Sequence, residues 1–535
     1  MKISTYALLT MFLSPFALTA ADNTYYLWAG ATKAGEEINL LKSENWSISN
    51  TEYVAPPEGT EMNSPTANWV IDHDAYLPIS GRNDCLLYRL DNPVLDIASL
   101  KILNQNPTET SYYASDGLKT GGANTIKILS ATANASWNIG EFTYTGTEGG
   151  YTRGATLASA SKWHMVDVTI GTVNIGYGEN TTKVQFGDNT AGIAYATVET
   201  ADNKVGDPID IWDASGLKSL TVTGNFNIHG GSTVNMNVWN DDEMASHSEY
   251  IPDVLINGIV NMTKSEGGSA PTWNLLYRET YVNWKASMPY VPATDTYIKI
   301  GGLQGEGRVS NESKTLEAST VKLIFTNAVD CEFKGDFTEN RTDTIKTVMS
   351  VKMAGVDGKM QIIDADAKFT GTVEVESGAL IMRSSTALGK LSMTGGKFGA
   401  INGNVIVSEA AWNNGDFIFY SGDALNGGWP DKIIIEGTFS KEGDGQIGID
   451  FYGFDGSVFA ADGTKLELIS AGALDGFSDD ANDDFYVKNL LNASADFEWN
   501  GNTLMVSFVS VPEPEFMAFA IGIAAMVSML YKRRR

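Results

Sequence analysis

The chain has 535 residues, with 37 basic against 65 acidic side chains, a net charge of −28. Such a field repels nucleic acid and anionic lipid, so nucleic acid is not expected as a partner. Glycine is abundant (54) and proline scarce (15), a balance that excludes a Pro-rich disordered stalk and favours turn-rich ordered β structure.

Met1 to Ala21 carries one charge, Lys2, then a mostly apolar run from Ala7 to Ala17 and the small residues Ala20 and Ala21. This pattern predicts a secretory signal peptide, residues 1–21, cut near Ala20–Ala21. Residues 22–124 read as an N-terminal β region. Trp69-Val70-Ile71, Cys85 to Tyr88 and Leu100 to Leu103 predict strands, and Thr51 to Pro65 predicts a loop. Tyr25 to Gly30 followed by Asn45-Trp46-Ser47 resembles the opening of bacterial surface proteins with autotransporter-like β-helical bodies.

Residues 125–510 are expected to form a β-helical body, with the repeat densest from 125 to 445. Short apolar runs such as Val166–Ile175, Leu220–Ile228 and Val321–Phe325 are broken by Gly, Asn and Asp, and no long helical period intervenes. A loose motif, Gly then any residue then Val or Phe, begins at Gly171, Gly224, Gly258, Gly335, Gly371, Gly403 and Gly437. From Gly335 to Gly437 its spacings are 36, 32 and 34, which predicts a stacked solenoid with one glycine corner per turn. Phe369 to Leu380, then Ala387-Leu388-Gly389, resembles the autotransporter-associated β-strand repeat. That resemblance implies a right-handed parallel β-helix, so the fold expected is all-β with a β-solenoid body. Leu466–Ile469 and Leu504–Phe508 predict strands that cap the stack.

No catalytic, cofactor or metal constellation emerges. The acid pairs Asp330/Glu332, Asp364/Asp366 and Glu374/Glu376 each share a strand face, as surface carboxylates commonly do. The histidines lack zinc-site spacing, and Asp241–Glu243 and Asp479–Asp484 match no calcium-loop pattern, so solvated loops are expected. Cys85 and Cys331 lie 246 residues apart and could either pair after export or remain buried thiols.

Residues 511–535 are distinct from the body. Val511, Pro512, Glu513 and Pro514 hold the chain extended, because proline fixes φ and disfavours helix at the residue before it. Phe516 to Tyr531 is uncharged, 16 residues or ~24 Å as a helix, short for a ~30 Å hydrocarbon core. Lys532, Arg533, Arg534 and Arg535 are expected to stay cytoplasmic. The order resembles the PEP-CTERM sorting signal of Gram-negative bacteria. The resemblance implies a single C-terminal transmembrane helix, cleavage near Pro512–Pro514 by the membrane protease exosortase, and release to the cell surface or an extracellular matrix. Signal peptidase, the general secretion machinery and the inner membrane follow as partners, with exopolysaccharide a further candidate. A structural or adhesive role is ranked first, ahead of a polysaccharide lyase or hydrolase and of a carbohydrate-binding protein.

Overall fold

A computed structural model describes residues 23–27, 38–49, 53–72, 85–90, 93–103, 125–130, 135–145, 154–159, 166–176, 183–186, 192–195, 208–211, 217–236, 249–266, 268–276, 295–311, 320–339, 348–419, 431–452, 455–460, 463 and 465–510, with six residues of the tail. The chain is all-β. Among the described residues thirty-six strands belong to one hydrogen-bonded system, and nearly all of its pairings are parallel.

The pairings connect each turn of chain to the next in a solenoid-like stack. The strand Val166–Ile175 lies between Ala135–Thr145 on one side and Ser219–Val222 with Phe226–His229 on the other. Further along, each turn contributes three short strands: Val254–Ile256, Val260–Thr263 and Thr272–Asn274 rest on Ser219–Val222, Phe226–His229 and Thr233–Met236 in register. The stack begins before residue 125. Asn23–Leu27 pairs in parallel with Ala67–Asp72, which pairs with Val94–Leu103, which pairs with Ala135–Thr145. Residues 22–124 therefore contribute the first turns of the same sheet.

Alternation along each strand places apolar residues inside. Val166–Ile175 alternates buried and half-buried positions on both sides of Gly171. The inner side chains stack from turn to turn. Phe142, Phe186, Phe226 and Trp273 form a chain of rings with successive centroid distances of 6.0, 5.8 and 6.4 Å. Asparagines form ladders as well. Asn227 donates to Asn174 and Asn261 to Asn227, each at 2.8 Å, while the buried Asn274 donates to Asn235 and accepts from Ser310.

The glycine motif marks a single corner in its first copies and is only partly kept in its later ones. Gly140, Gly171, Gly224, Gly258 and Gly301 form one column, where a Cβ on each would overlap the carbonyl of the preceding turn. Gly301 belongs to the column with Leu303, buried opposite Val260, in the place of Val or Phe. Of the copies from Gly335 to Gly437, Gly371 and Gly437 stand in a second column, linked through Gly389 and Ser408, whereas Gly335 packs on Gly307 and Gly403 stacks on no glycine. Phe337 pairs with Val309 in one ladder, while Val373, Leu391, Ala410 and Phe439 follow one another in a second. The spacing near 34 there is not the turn length. Val373 pairs with Leu391, 18 residues on, and Leu391 with Ala410, 19 residues on. Upstream, Val254 pairs with Ile298, 44 residues on. The segment resembling the autotransporter-associated repeat falls in the shortest turns.

The last turn is closed by a reversal of direction. Thr503–Ser510 runs antiparallel to both Lys465–Asp475 and Ala493–Asn500, so the two predicted cap strands pair with each other. The cysteines lie apart. Cys85 begins a strand in the second turn, whereas Cys331 is seven ladder steps further on, ~34 Å at ~4.8 Å per step. A disulfide spans at most ~7 Å between Cα atoms, so the pairing left open by the sequence does not form within one chain. Cys331 is buried as a free thiol.

Among the described residues no helix is long and apolar enough to cross a membrane. In the tail Gly522, Ile523, Ala525, Met526, Ser528 and Met529 are helical, and Ile523, Met526 and Met529 are exposed.

Candidate functional site

Consecutive short turns build a polar groove near the C-terminal end of the stack. Its floor begins as a column of left-handed glycines: Gly378 (φ 73°), Gly396 (φ 62°) and Gly415 (φ 104°). Each turns a strand through a corner that an L-residue would reach only with strain. A Cβ at Gly396 would sit 2.7 Å from the Gly378 carbonyl oxygen, and one at Gly415 2.6 Å from that of Gly395. The corners therefore stack with bare backbone facing outward.

Beside this column the register places Lys397, Asp416, Gly448 and Tyr486 in successive turns. Lys488 lies two residues past Tyr486 and reaches back to Asp416, at 2.8 and 2.9 Å from its two carboxylate oxygens. Lys397 pairs with Asp450, whose side chain is fully buried and also accepts from Asn489 at 2.9 Å. Burial alone would lower the pKa of Lys488, but Asp416 and Tyr486 hold it above the ordinary lysine value. The Lys488 ammonium also lies 5.1 Å from the Tyr486 ring centroid.

The groove encloses about 570 Å³ and is rimmed by Asp357, Asn414 and Gln446. Asn414 accepts from the Gly415 N–H at 2.8 Å, and Gln446 donates to the carbonyls of Asn482 and Asp483, each at 3.1 Å. Among the described residues the Asn414 Nδ2 and Gln446 Oε1 have no protein partner. A second concavity, about 520 Å³, lies between Lys264, Glu306, Glu332 and Lys334, where the charges close on one another at 3.0 Å (Lys264–Glu306) and 3.2 Å (Lys334–Glu332).

The acid pairs singled out in the sequence are each tied down. Asp364 accepts from Asn402 at 2.9 Å, and Asp330 from the Met360 N–H at 3.0 Å. For Asp366, burial works against ionisation, but the Ser385 hydroxyl and N–H, with Lys368, hold its carboxyl below the usual range. Glu374 binds Lys322 at 3.0 Å, and Glu376 binds Lys352 at 2.8 Å. Both lysines also grip Glu249, at 3.4 and 3.0 Å, which fastens that residue to the sheet face. The reading of Asp479–Asp484 as solvated holds for only part of the segment. Asp480 caps the short helix Ala481–Asp484, and Asp484 is buried against Lys441 at 2.6 Å. Among the described residues no three His, Cys, Asp or Glu side chains gather as a metal site.

Val511, Pro512, Glu513, Pro514, Lys532, Arg533, Arg534 and Arg535 lie outside the described residues, as do Ala20, Ala21 and Asp241–Glu243. The groove was not foreseen. Its only sequence signal is the pair of corners Gly395-Gly396 and Asn414-Gly415, 19 residues apart. No family model, no curated protein and no solved structure matches the chain.

Proposed function

We propose that the chain is an exported cell-surface or extracellular-matrix protein with a structural or adhesive role. Its body is a right-handed parallel β-helix, the hand that parallel crossover connections favour. The observation that carries this reading is the order of the tail: Val511-Pro512-Glu513-Pro514, then uncharged Phe516–Tyr531, then Lys532–Arg535. This order follows the PEP-CTERM pattern. Secretion machinery and signal peptidase would act at Met1–Ala21, cutting at Ala20–Ala21. The apolar segment would hold the chain in the inner membrane with its body outside. Exosortase would then cut near Pro512–Pro514. Once Lys2 and the tail, with four cations and two glutamates, are gone, the net charge falls from −28 to −31. That charge keeps the released body soluble. A non-catalytic role is supported by the engagement of each acid pair with cations, amides or backbone N–H groups.

The test is the intact mass of the protein recovered from the surface or medium of a host carrying exosortase. The expected product lacks both residues 1–21 and the segment from about Pro514 onward. Pro512→Ala with Pro514→Ala should leave a longer form in the inner membrane. A surface form that retains Phe516–Arg535 would show a plain anchor and overturn the sorting reading.

A further inference from the structure

We infer that the groove floored by Gly396 and Gly415 binds an uncharged oligosaccharide segment, laid along the stack with one sugar against Tyr486. This deepens the adhesive role proposed above and rests on that reading for its setting outside the cell.

Four observations converge on this ligand class. First, Tyr486 is 38% exposed, and although the Lys488 ammonium lies over one side of the ring, its exposed part offers a flat face for the C–H side of a pyranose. Second, the Asn414 Nδ2 and Gln446 Oε1 supply a donor and an acceptor without protein partners, which suits hydroxyls that both give and take hydrogen bonds. Third, the lining charges are nearly offset, with Asp357 in excess once Lys397 is set against Asp450 and Lys488 against Asp416. Lys397 and Lys488 face Asp357 and Asp416, with Asp450 buried behind Lys397. On a chain of net charge −28 this is a strip of low net charge, and Asp416 is already neutralised by Lys488. A free cation meets two lysines there, and a polyuronate meets the carboxylates and the long-range negative field. Fourth, the floor carries no Cβ at Gly395, Gly396 and Gly415, so a sugar ring can settle against backbone. Successive turns repeat every ~4.8 Å, comparable to the length of one pyranose unit along a glycan.

The experiment uses the full-length chain, purified in a detergent without a sugar headgroup. It is titrated calorimetrically with cello-, xylo-, malto- and mannooligosaccharides, and with oligogalacturonate as the acidic arm. At least one neutral series is expected to bind, with oligogalacturonate weaker. Tyr486→Ala should weaken that binding about tenfold, Gln446→Ala should weaken it less, and Tyr486→Phe should retain it. Circular dichroism of each variant must match the parent. If Tyr486→Ala misfolds, Gln446→Ala and the saturation-transfer NMR contacts of the bound sugar with the Tyr486 ring decide. No binding by any neutral series, a preference for oligogalacturonate, or binding that the Tyr486 and Gln446 substitutions leave unchanged would each overturn the assignment. The titration involves no export, so its failure is separate from failure of the mass test.

Discussion

Lys488 holds both carboxylate oxygens of Asp416 by reaching over Gly448, the one position between them in the ladder that carries no side chain. A Cβ built at Gly448 overlaps Asp416 Oδ1 and comes within 3.2 Å of Lys488 Cδ. Gly448→Ala should therefore break this pair while leaving the backbone ladder intact, at a cost of about 1–3 kcal/mol. The matched control is Gly445→Ala, whose Cβ meets only Trp412 at an ordinary 3.6 Å and should stay within about 0.5 kcal/mol of the parent. Chemical denaturation of the two variants checks both values; equal stabilities would show that the pair does not depend on the glycine.

Gln361 acts as a spare peptide group. Its Nε2 donates to the Leu303 carbonyl at 2.9 Å, and its Oε1 accepts from the Leu303 N–H at 3.0 Å and from Asn327 Nδ2 at 3.1 Å. The side chain is fully buried. Gln361→Met keeps the volume and strands these groups, each costing about 1–3 kcal/mol. A loss of about 3 kcal/mol or more in the unfolding free energy from urea denaturation is expected, against under about 1 kcal/mol for the exposed Gln446→Met.

The Glu249 clamp sets a pH window. Lys352 lowers the pKa of Glu249 chiefly through their hydrogen bond, with Lys322 assisting, against a smaller opposing effect of burial. That stability is present above the unfolded value of 4.5 and is lost as pH falls through the lower folded value. For Lys352, burial works downward, but Glu376 and Glu249 raise the pKa overall. Its contribution is complete below the unfolded value of 10.5 and is lost as pH rises through the higher folded value. Glu249→Gln should therefore destabilise the protein across the plateau between these limits and flatten its decline below pH 4.5. Thermal melts of parent and variant from acid to alkaline pH test this; parallel curves would remove Glu249 from the acid transition.

Burial, with Asp330 adding to it, pushes the Cys331 thiol up to about 11. At neutral pH it is uncharged and enclosed, so alkylation should require unfolding. Peptide mapping after iodoacetamide treatment, with and without denaturant, distinguishes the cases. A Cys85–Cys331 crosslink in the non-reduced map would contradict the ladder register.

Much of the β architecture can be read directly from residues. The strand at Val166–Ile175 coincides with its predicted limits because alternation and a flanking polar break are local properties. The column through Gly171, Gly224 and Gly258 was visible for the same reason: each glycine packs on its counterpart, so each copy must keep it. Turn length was not legible. The ladder requires only that strands align, and loops at the corners absorb any number of residues, as the 52 between Val168 and Leu220 show beside the 18 between Val373 and Leu391. Counting along the chain thus mistook glycines of different corners, Gly335 and Gly403 among them, for members of one period. The groove escaped notice because Lys397, Asp416 and Tyr486 meet only through register across consecutive turns.

The reversed strand Thr503–Ser510 is also where the tail attaches. It is the middle strand of three, bonded to Lys465–Asp475 on one edge and to Ala493–Asn500 on the other. A pull transmitted through residue 511 acts along this strand and loads both rows of hydrogen bonds in shear, so they share the force and do not open one by one. A chain tethered at this end would carry traction as a bolt held between two plates, with the parallel turns behind it spared from peeling.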